Sequence, residues 1–541
     1  MSNTKVLNEM LGRLKATRSS HEHDWDNIRR HVHIHAADFY SQTANSNMNS
    51  RVNDAKFIYD GTAPWALEQF AAGLHSHLTN PSSRWFNLSL KDVAREDIDD
   101  EPTLNWLDTT TDILFSEISK AKASFNSSTH ELYLDVGSFG TGIQYEDYNI
   151  KGGHLSFSSC PLADCWIQEN HLGMVDTLFR LRKMTKNQIL DKFGHAPGSI
   201  TRDNDISHQY DIYHAVYPNQ HRHKGLSNST NMPYASFWWS EQHDYIFSQG
   251  GYNTFPYHSP RWTKLPGQSY GRAPAHTCLP DILMINRMSK VTIKGAEKIV
   301  DPPLEVSSDG FIMPISTSPG SLIYKEPGTD PINPLVTNAR VDIGLEMQEQ
   351  RREHIIKCFY VDWLLQQKNS TQMTATEVID RREEKLRMMA PMIGRLESEF
   401  CSPVIMRSFD LLNNYGKIPE PTDLVKQMGI SIEYSSPAAE AQKAGKALNT
   451  TRFLESIIPL IDLDPEVRHT INYKKYASNL AKIRDIDREV LNDSATFDRL
   501  VAQEREQQQQ GMQIEQALTA AKATGELAKA NAAVQSTQSP S

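Results

Sequence analysis

The sequence predicts an α+β protein that is predominantly helical. Two long runs with few Gly or Pro, residues 279–300 and 338–365, have the composition of extended helices. The segment between them, residues 304–337, holds five Pro and three Gly, which favours turns and short strands. Residues 143–275 alternate apolar and polar side chains and are rich in aromatic residues, as β-strands are. We therefore expect a mostly helical protein with one β-rich part.

Length and composition indicate a folded protein with several subdomains. The chain has 541 residues, more than a single hydrophobic core usually serves. Mean hydropathy is −0.53, and no run of about eighteen apolar residues is present, so we expect no membrane span. The first residues lack the apolar stretch of a signal peptide. The five Cys are an odd number in a chain without an export signal, so we expect reduced thiols.

The net charge restricts how the protein can meet nucleic acid. It is −10, with a pI of about 6.1. Proteins that grip duplex DNA usually carry a basic excess, because affinity comes from neutralising phosphates. If this protein meets DNA, we expect it to let DNA pass more than to hold it.

The remaining pattern predicts helices along most of the chain. In the first of them, Leu7, Leu11 and Leu14 share one face. Strands are expected at 84–90 and 429–434, and helices at 1–40, 63–78, 102–121, 125–136, 186–193, 378–399, 404–415, 438–448, 452–458 and 465–492.

Neither of two candidate metal sites has a complete ligand set. Cys160 and Cys165 are close in sequence, but no second Cys pair accompanies them. Five His near the N-terminus lack a Cys, Asp or Glu at ligand spacing. We therefore predict no metal and no cofactor. The five are His21, His23, His31, His33 and His35.

The sequence also contains no recognisable catalytic motif. Residues 137–142 are Gly-rich but lack the Lys-Ser/Thr of a P-loop, so we interpret them as a turn where two backbones pack closely. Trp238 and Trp239 are expected in a core or subunit interface, because a base-stacking platform needs interleaved Lys and Arg and residues 240–244 supply none. His-Glu-x-x-His does not occur, and the one Gly-x-Ser-x-Gly match, Gly267–Gly271, lies in a segment that we interpret as a turn. We predict a protein that is not an enzyme and has no catalytic residues.

Charged residues form matching stripes on the two long helices. Spacings of three and four place each set on one helix face. If the helices run antiparallel, Lys298 lies near Asp342 and Arg287 lies near Glu353, so the stripes match in register. The two faces could pair within a subunit or between neighbours, one could line a tunnel, or both could stay solvated. We call this set the charge ladder; it comprises Arg287, Lys290, Lys294 and Lys298 on the first helix, and Asp342, Glu346, Glu349 and Glu353 on the second.

Short motifs in a fixed order run along nearly the whole chain. They are Ile58–Ala63, Leu74, Leu78–Thr79, Arg84–Phe86, Gly137–Gly142, Ser269–Pro274, Leu279–Ile282, Gln372–Val378, Arg381, Glu384, Pro391, Arg395–Leu396, Glu399–Phe400, Pro403, Arg407, Gly416, Pro419 and Tyr434–Pro437. In order and spacing this set resembles the head-to-tail connector (portal) proteins of short-tailed double-stranded DNA phages.

The resemblance implies a portal fold assembled as a twelve-fold ring at one vertex of the capsid. Its parts would be a wing, a stem of two helices, a clip at the tips of the stem, and a helical crown. The C-terminal helices could form a narrow barrel, or the end of the chain could be disordered. The implied boundaries are 1–275 (wing, β-rich from about 143), 276–300 (first stem helix), 301–337 (clip), 338–365 (second stem helix), 366–373 (tunnel loop), 374–436 (wing helices and strand) and 437–541 (crown).

The same resemblance implies sites and partners. The tunnel loop would face DNA through Gln366, Gln367, Lys368, Asn369, Ser370, Thr371 and Gln372. The clip would dock partners through Glu305, Phe311, Tyr324, Lys325 and Glu326. The implied partners are further copies of the chain, double-stranded DNA in the channel, the terminase large subunit, tail adaptor and nozzle proteins, and major capsid and scaffolding proteins. The implied location is the virion, with assembly in the host cytoplasm.

Two other classes of protein compete with the portal interpretation. One is a different phage ring, such as a tail adaptor or collar, but adaptors are usually shorter and lack a two-helix stem with an inserted clip. The other is a phage nuclease or hydrolase, for which the sequence shows no metal-binding set.

Deletion of Asn369–Thr371 tests the tunnel-loop assignment. The loop offers amides, hydroxyls and one cation, which make weak, sequence-independent contacts to DNA. We expect intact rings with a lower yield of packaged DNA, measured in a packaging assay. A normal yield of packaged DNA would reject a gating role for the loop.

Overall fold

The computed structural model describes residues 3–39, 58–93, 98, 100–203, 205, 207–220, 231–305, 322, 324, 327–328, 332–334, 341–364, 388–434, 496 and 499–503. The chain divides into two compact units, Met1–Ser436 and Pro437–Ser541. In the second unit the described residues, 496 and 499–503, are helical. All other described residues belong to the first unit.

The first unit contains the predicted mixture of helices and strands. The helices are α1 (Asn3–His31), α2 (Thr62–Leu78), α3 (Glu101–Ser119), α4 (Phe125–Phe139), α5 (Lys186–Phe193), α6 (Gly198–Thr201), α7 (Pro274–Val300), α8 (Val341–Cys358), α9 (Val361–Leu364), α10 (Ser402–Asn414) and α11 (Asp423–Met428). Residues 388–396 are also helical and lead into a π-helical turn, Glu397–Cys401, before α10. Short 3₁₀ turns lie at Ala121–Ala123 and Leu162–Asp164.

Most strands lie in the predicted β-rich part and pair antiparallel. The strands are β1 (Phe86–Leu90), β2 (Gln144–Asn149), β3 (His154–Ser159), β4 (Cys165–Glu169), β5 (Val175–Thr185), β6 (Gln209–Pro218), β7 (Tyr234–Ser240), β8 (Tyr245–Tyr252), β9 (Tyr257–His258), β10 (Thr263–Lys264), β11 (Gly271–Arg272), β12 (Leu304–Glu305), β13 (Asn333–Pro334) and β14 (Ile430–Tyr434). The largest sheet has the order β4-β5-β6-β7-β8, and a smaller sheet has the order β3-β2-β9. The pairs β1–β14, β10–β11 and β12–β13 complete the set.

Helix α1 serves two hydrophobic cores in succession. Its first half buries Leu7, Leu11 and Leu14 against aromatic residues of the five-stranded sheet, as the spacing predicted. Its second half buries Trp25 and neighbours in the main core. Between the two halves, the Arg18 guanidinium donates to the carbonyls of Leu162, Ala163 and Cys165 at 3.3, 2.7 and 2.9 Å.

A close approach of two backbones explains the Gly-rich residues 137–142. Gly140 ends α4 with φ 81°, a conformation that favours glycine. A Cβ on Gly140 would lie 2.6 Å from the backbone of Gly271, so neither glycine has room for a side chain. The predicted close packing of two backbones is therefore confirmed at Gly140, whereas residues 137–139 belong to α4 and not to a turn.

After residue 388 the chain packs back onto the N-terminal part. Strand β14 pairs with β1 over five residues. The indole Nε1 of Trp106 donates to the carbonyl of Pro419 at 3.0 Å. The Arg407 side chain donates to the Glu146 and Thr254 carbonyls at 3.1 and 2.7 Å. Residues separated by more than 300 positions thus share one core.

The Arg261 guanidinium joins the returning segment to the N-terminal part through several ion pairs and hydrogen bonds, which we call the Arg261 junction. Its side chain is 1% exposed. It pairs with the Glu399 carboxylate (Nη2–Oε1 2.7 Å, Nε–Oε2 3.0 Å) and with Glu169. It also donates to the carbonyls of Ser269 and Gly173 at 3.1 and 2.9 Å. One guanidinium therefore joins the β4–β5 hairpin, the β10–β11 turn and the returning segment.

A second buried polar contact lies beside the first. The Glu146 carboxylate, 0% exposed, bonds to the His258 imidazole at 2.7 Å and accepts from the Ser408 hydroxyl at 2.7 Å. Because a buried carboxylate without partners is costly, these bonds fix α10 against β2 and β9.

The structure corrects the limits of three predicted helices. The first ends at His31, not near residue 40. Helix α7 begins at Pro274, before the predicted Leu279, and carries Pro280 in its second turn. The second long helix, expected over residues 338–365, is broken: α8 ends at Cys358 and α9 starts at Val361.

The break in the second long helix has a clear physical cause. Tyr360 has φ 56°, which directs the chain out of the helix. The turn lets Phe359 enter the main core, with its ring centroid 6.4 Å from that of Phe70. It also places Leu364 against Gly73 of α2, where an added Cβ would lie 2.6 Å away. Burial of these apolar side chains outweighs continuation of the helix.

Glu399→Gln tests the role of the Arg261 junction. The substitution leaves Arg261 with Glu169 as its one carboxylate among the described residues. We expect a loss of about 2–3 kcal/mol in the free energy of unfolding, because the guanidinium is buried and half its compensation is gone. Urea unfolding followed by tryptophan fluorescence measures this loss.

The matched control is Glu433→Gln, an exposed position on the same returning segment. It should change the free energy of unfolding by less than about 0.5 kcal/mol. Equal effects of the two substitutions would show that the Arg261 junction contributes no special stability.

Candidate assembly site on the helical arm

Helices α7 and α8 form an antiparallel pair that we call the arm. Near the middle of the pair, the Gln348 amide donates to the Thr292 hydroxyl at 2.9 Å. At the other end of the contact, Asp281 accepts from Arg351 at 2.9 Å and bonds to His354 at 2.7 Å. Residue numbers therefore rise along one helix as they fall along the other, which is the predicted antiparallel arrangement.

The base of the arm is fastened to residues 58–61, just before α2. The backbone N–H of Tyr59 donates to the Asn286 side chain at 2.7 Å. The Asp60 carboxylate accepts from the Arg352 guanidinium at 3.1 and 3.0 Å. Asp60 also accepts from the N–H of Thr62 at the start of α2. One short segment thus holds both arm helices in place.

Beyond its base, α7 buries almost nothing within the chain. Its last buried residue is Ser289, and eleven helical residues follow. Val291, Ile299 and Val300 are 63%, 51% and 85% exposed. A cluster of exposed apolar side chains on one element marks an interaction surface. The full set on the arm is Leu283, Met284, Val291, Ile293, Ile299 and Val300 on α7, and Leu345 and Met347 on α8.

The charge ladder lies on the same helices. Arg287, Lys294 and Lys298 are exposed, and so are Glu346, Glu349 and Glu353. Lys290 is half-buried, with its Nζ 5.3 Å from the Tyr59 ring centroid. The side chain of Asp342 lies outside the described residues.

No ion pair joins the two halves of the charge ladder among the described residues. Glu349 and Glu353 pair within α8, with Arg352 at 3.1 Å and Lys357 at 3.7 Å. The described ion pairs between α7 and α8 use Asp281 instead. Six residues of the charge ladder are therefore exposed in the single chain, and pairing between neighbouring chains stays a prediction.

The predicted clip and tunnel loop are described only in part. At the tips of the arm, β12 and β13 pair antiparallel, with Glu305 opposite Asn333. Glu305 is exposed and Tyr324 is 64% exposed. Phe311, Lys325, Glu326 and the whole tunnel loop, residues 366–372, lie outside the described residues.

Sequence reasoning missed the contacts that fasten the arm. Asp60 and Arg352 are 292 positions apart, so no local pattern links them. Asp60 lies in the motif Ile58–Ala63, and that motif is the one local signal that the sequence offers.

The described residues contain neither a candidate metal site nor a helix that could span a membrane. Within the described ranges, no three His, Cys, Asp or Glu side chains are grouped so as to hold a metal ion. In the same ranges, none of the helices combines the length and apolar character needed to span a bilayer.

Two named phage proteins and one family model match most of the chain. The chain is 28% identical over 528 residues to a protein named "Probable portal protein" of Bordetella phage BPP-1, covering 94% of this chain and 92% of the relative. It is 26% identical over 477 residues to the "Portal protein" of Salmonella phage epsilon15, covering 85% and 84%. The family described as bacteriophage head to tail connecting protein matches residues 4–491. The chain therefore belongs to the bacteriophage head-to-tail connecting protein family.

Proposed function

We propose that this protein is a phage portal, a ring of identical subunits at one capsid vertex through which double-stranded DNA enters during packaging and leaves at infection. It has a structural role, not an enzymatic one. The observation that carries the proposal is the arm, an antiparallel helix pair that exposes apolar side chains and six residues of the charge ladder in the single chain. Family membership over residues 4–491 supports it.

The exposed apolar side chains favour assembly side by side. Burying a side chain such as Val or Ile contributes roughly 1.5–3 kcal/mol. With Val291, Ile299 and Val300 largely exposed, an isolated arm forgoes several such contributions. Contact with the arms of two neighbours would recover them in a ring, where each subunit meets the next through the same pair of surfaces.

The charge ladder would set the tilt of neighbouring arms. A single exposed ion pair contributes only about 0–1 kcal/mol. Repeated around a closed ring and partly shielded from water, such pairs would add up. With α7 and α8 antiparallel, the positive stripe of one arm would lie at the same height as the negative stripe of the next arm in the proposed ring.

The remaining assignments follow from the family. We propose twelve subunits, a wing formed by residues 1–275 and 374–436, and a clip at 301–337 that docks the terminase large subunit and later the tail adaptor and nozzle proteins. Residues 366–373 would form the tunnel loop and 437–541 the crown. Major capsid and scaffolding proteins would meet the ring during head assembly. The finished ring would belong to the virion, after assembly in the host cytoplasm.

The charge of the chain suits a channel. A subunit with a net charge of −10 supplies few free cations to trap the phosphate backbone, so DNA can slide. The match to portal-named relatives along most of their length favours a portal over a shorter adaptor ring.

Val291→Glu with Ile299→Glu tests assembly through the arm. We expect the ring to be lost while the subunit stays folded, because two charges would enter an apolar contact in every subunit interface. Native mass spectrometry and negative-stain images report the ring, and circular dichroism reports the fold.

The matched control is Ile150→Glu with Leu172→Glu, two apolar residues that are 74% and 72% exposed outside the arm. It should form rings as the unchanged protein does. Rings of normal mass from the arm variant would contradict this interface.

Charge reversal tests the ladder. Lys294→Glu should weaken ring assembly, because it places like charges at one height of the interface. Adding Glu346→Lys should restore assembly, since the pair is then opposite in sign again. Sedimentation velocity across a salt series measures both. If the double reversal recovers none of the assembly lost in the single one, the two stripes do not pair.

A further inference from the structure

Cations from strand β5 and helix α5 lie on one face of the five-stranded sheet. Arg180 and Arg182 lie two residues apart on β5 and therefore share a face. The strand register sets Arg180 opposite His214, and His214 opposite Trp238. These residues form a row across three strands.

Helix α5 adds a third cation to this face. The Nζ of Lys192 lies 3.4 Å from the ring centroid of Trp238. Trp238 in turn stacks on His214, with 4.0 Å between ring centroids and 9° between planes. His214 bonds to the Tyr257 and Ser236 hydroxyls at 2.6 and 3.0 Å, which fixes the floor of the cluster.

The three cations lack a matching carboxylate. In the part of the chain that the structure describes, no ion pair joins Arg180, Arg182 or Lys192 to an acidic side chain. Arg180 hydrogen-bonds the Tyr257 hydroxyl, but its Nε is buried without a hydrogen-bond partner. The Arg182 and Lys192 side chains are partly open to solvent, so an anion can reach them.

Two carboxyl groups act on the cluster through their charge, Asp147 on Lys192 and Asp164 with Arg180. Asp147 accepts from the Tyr145 hydroxyl at 2.8 Å and from the N–H of Tyr148 at 2.9 Å. Burial raises the pKa of Asp164 and so disfavours its charged form, although the charge of Arg180 opposes this shift. Neither carboxyl group forms an ion pair with Arg180, Arg182 or Lys192 among the described residues.

The shifts in pKa show the same imbalance. Burial, with repulsion from Arg182 and Arg180, lowers the pKa of Lys192 to about 7. Burial and the charge of Arg180 also lower the pKa of Arg182. The charge of Arg180 thus lowers the pKa of both neighbouring cations, and an anion bound beside them would oppose this repulsion.

We propose that Arg180, Arg182 and Lys192 bind a phosphate group on this face of the sheet. Two guanidinium groups can each offer parallel N–H donors to phosphate oxygens. Phosphate oxygens can accept from all three side chains, and the charge of the anion offsets part of their positive charge. Arg180, half-buried with an unpartnered Nε, would supply the fixed part of the site. Arg182 and Lys192 would contact the ligand from the solvent side.

The phosphate could come from two sources. One is free phosphate or a small phosphate ester. The other is the backbone of DNA near the ring, an interpretation that rests on the proposed function. The binding chemistry is the same in both cases, so the experiment separates them by ligand.

The test uses the full chain and the variant Arg182→Gln/Lys192→Gln. Below the pKa of Lys192, sodium phosphate should raise the melting temperature of the unchanged protein by about 1–3 °C more than sodium acetate of equal ionic strength. The variant should lose at least half of this difference. The matched control, Lys151→Gln/Lys183→Gln, removes the same charge from an exposed turn and from the opposite face of β5, and should keep the difference.

A second measurement identifies the source. Duplex DNA binding is followed by fluorescence anisotropy over a salt series, where each lost phosphate contact lowers the salt slope by about one. A slope lower by about two in the variant assigns the site to DNA, and an unchanged slope assigns it to free phosphate.

Two results would overturn the site. One is a phosphate effect no larger than that of acetate, and the other is a variant that keeps the full effect. Negative-stain images of the same variant keep this test separate from the proposed function. If the unchanged protein forms rings normally but shows no phosphate effect, the site is rejected and the portal assignment stays intact.

Discussion

The fold depends on the buried ion pairs of Arg261. This guanidinium, 1% exposed, pairs with Glu399 after the arm and with Glu169 before it. The chain leaves the N-terminal part through α7 and must return to the same core after α8. A buried guanidinium is tolerated only when its donors are satisfied, so Arg261 specifies one position for the returning segment. The β1–β14 pair and the bonds of Glu146 reinforce that position.

Because contacts with the rest of the subunit hold only the base of the arm, its outer part would be available for the proposed assembly. Asp60 and Asn286 fasten the base, while α7 buries no side chain after Ser289. A helix pair that cannot bury its apolar side chains within one chain needs a neighbour to do so. This division of labour, a packed base and an exposed outer part, is what a subunit of a ring requires.

The five-stranded sheet shows the opposite arrangement, with both faces in use inside one chain. Helix α1 covers one face through Leu7, Leu11 and Leu14. The other face is only partly covered by α5 and α6, and it presents the cluster around Arg180. A sheet with one apolar face and one partly open, charged face can be stable and still bind a ligand.

The sequence alone determined the fold class, the family and the local elements whose signals lie within a few residues. Helix α5 and the apolar face of α1 were predicted correctly, because periodicity and turn residues report local structure. The tertiary structure alone decided the break at Tyr360, the pairing of Asp60 with Arg352 and the cation cluster on β5. Each joins residues or burial energies from distant parts of the chain, and no local pattern records which side chains a folded core brings together.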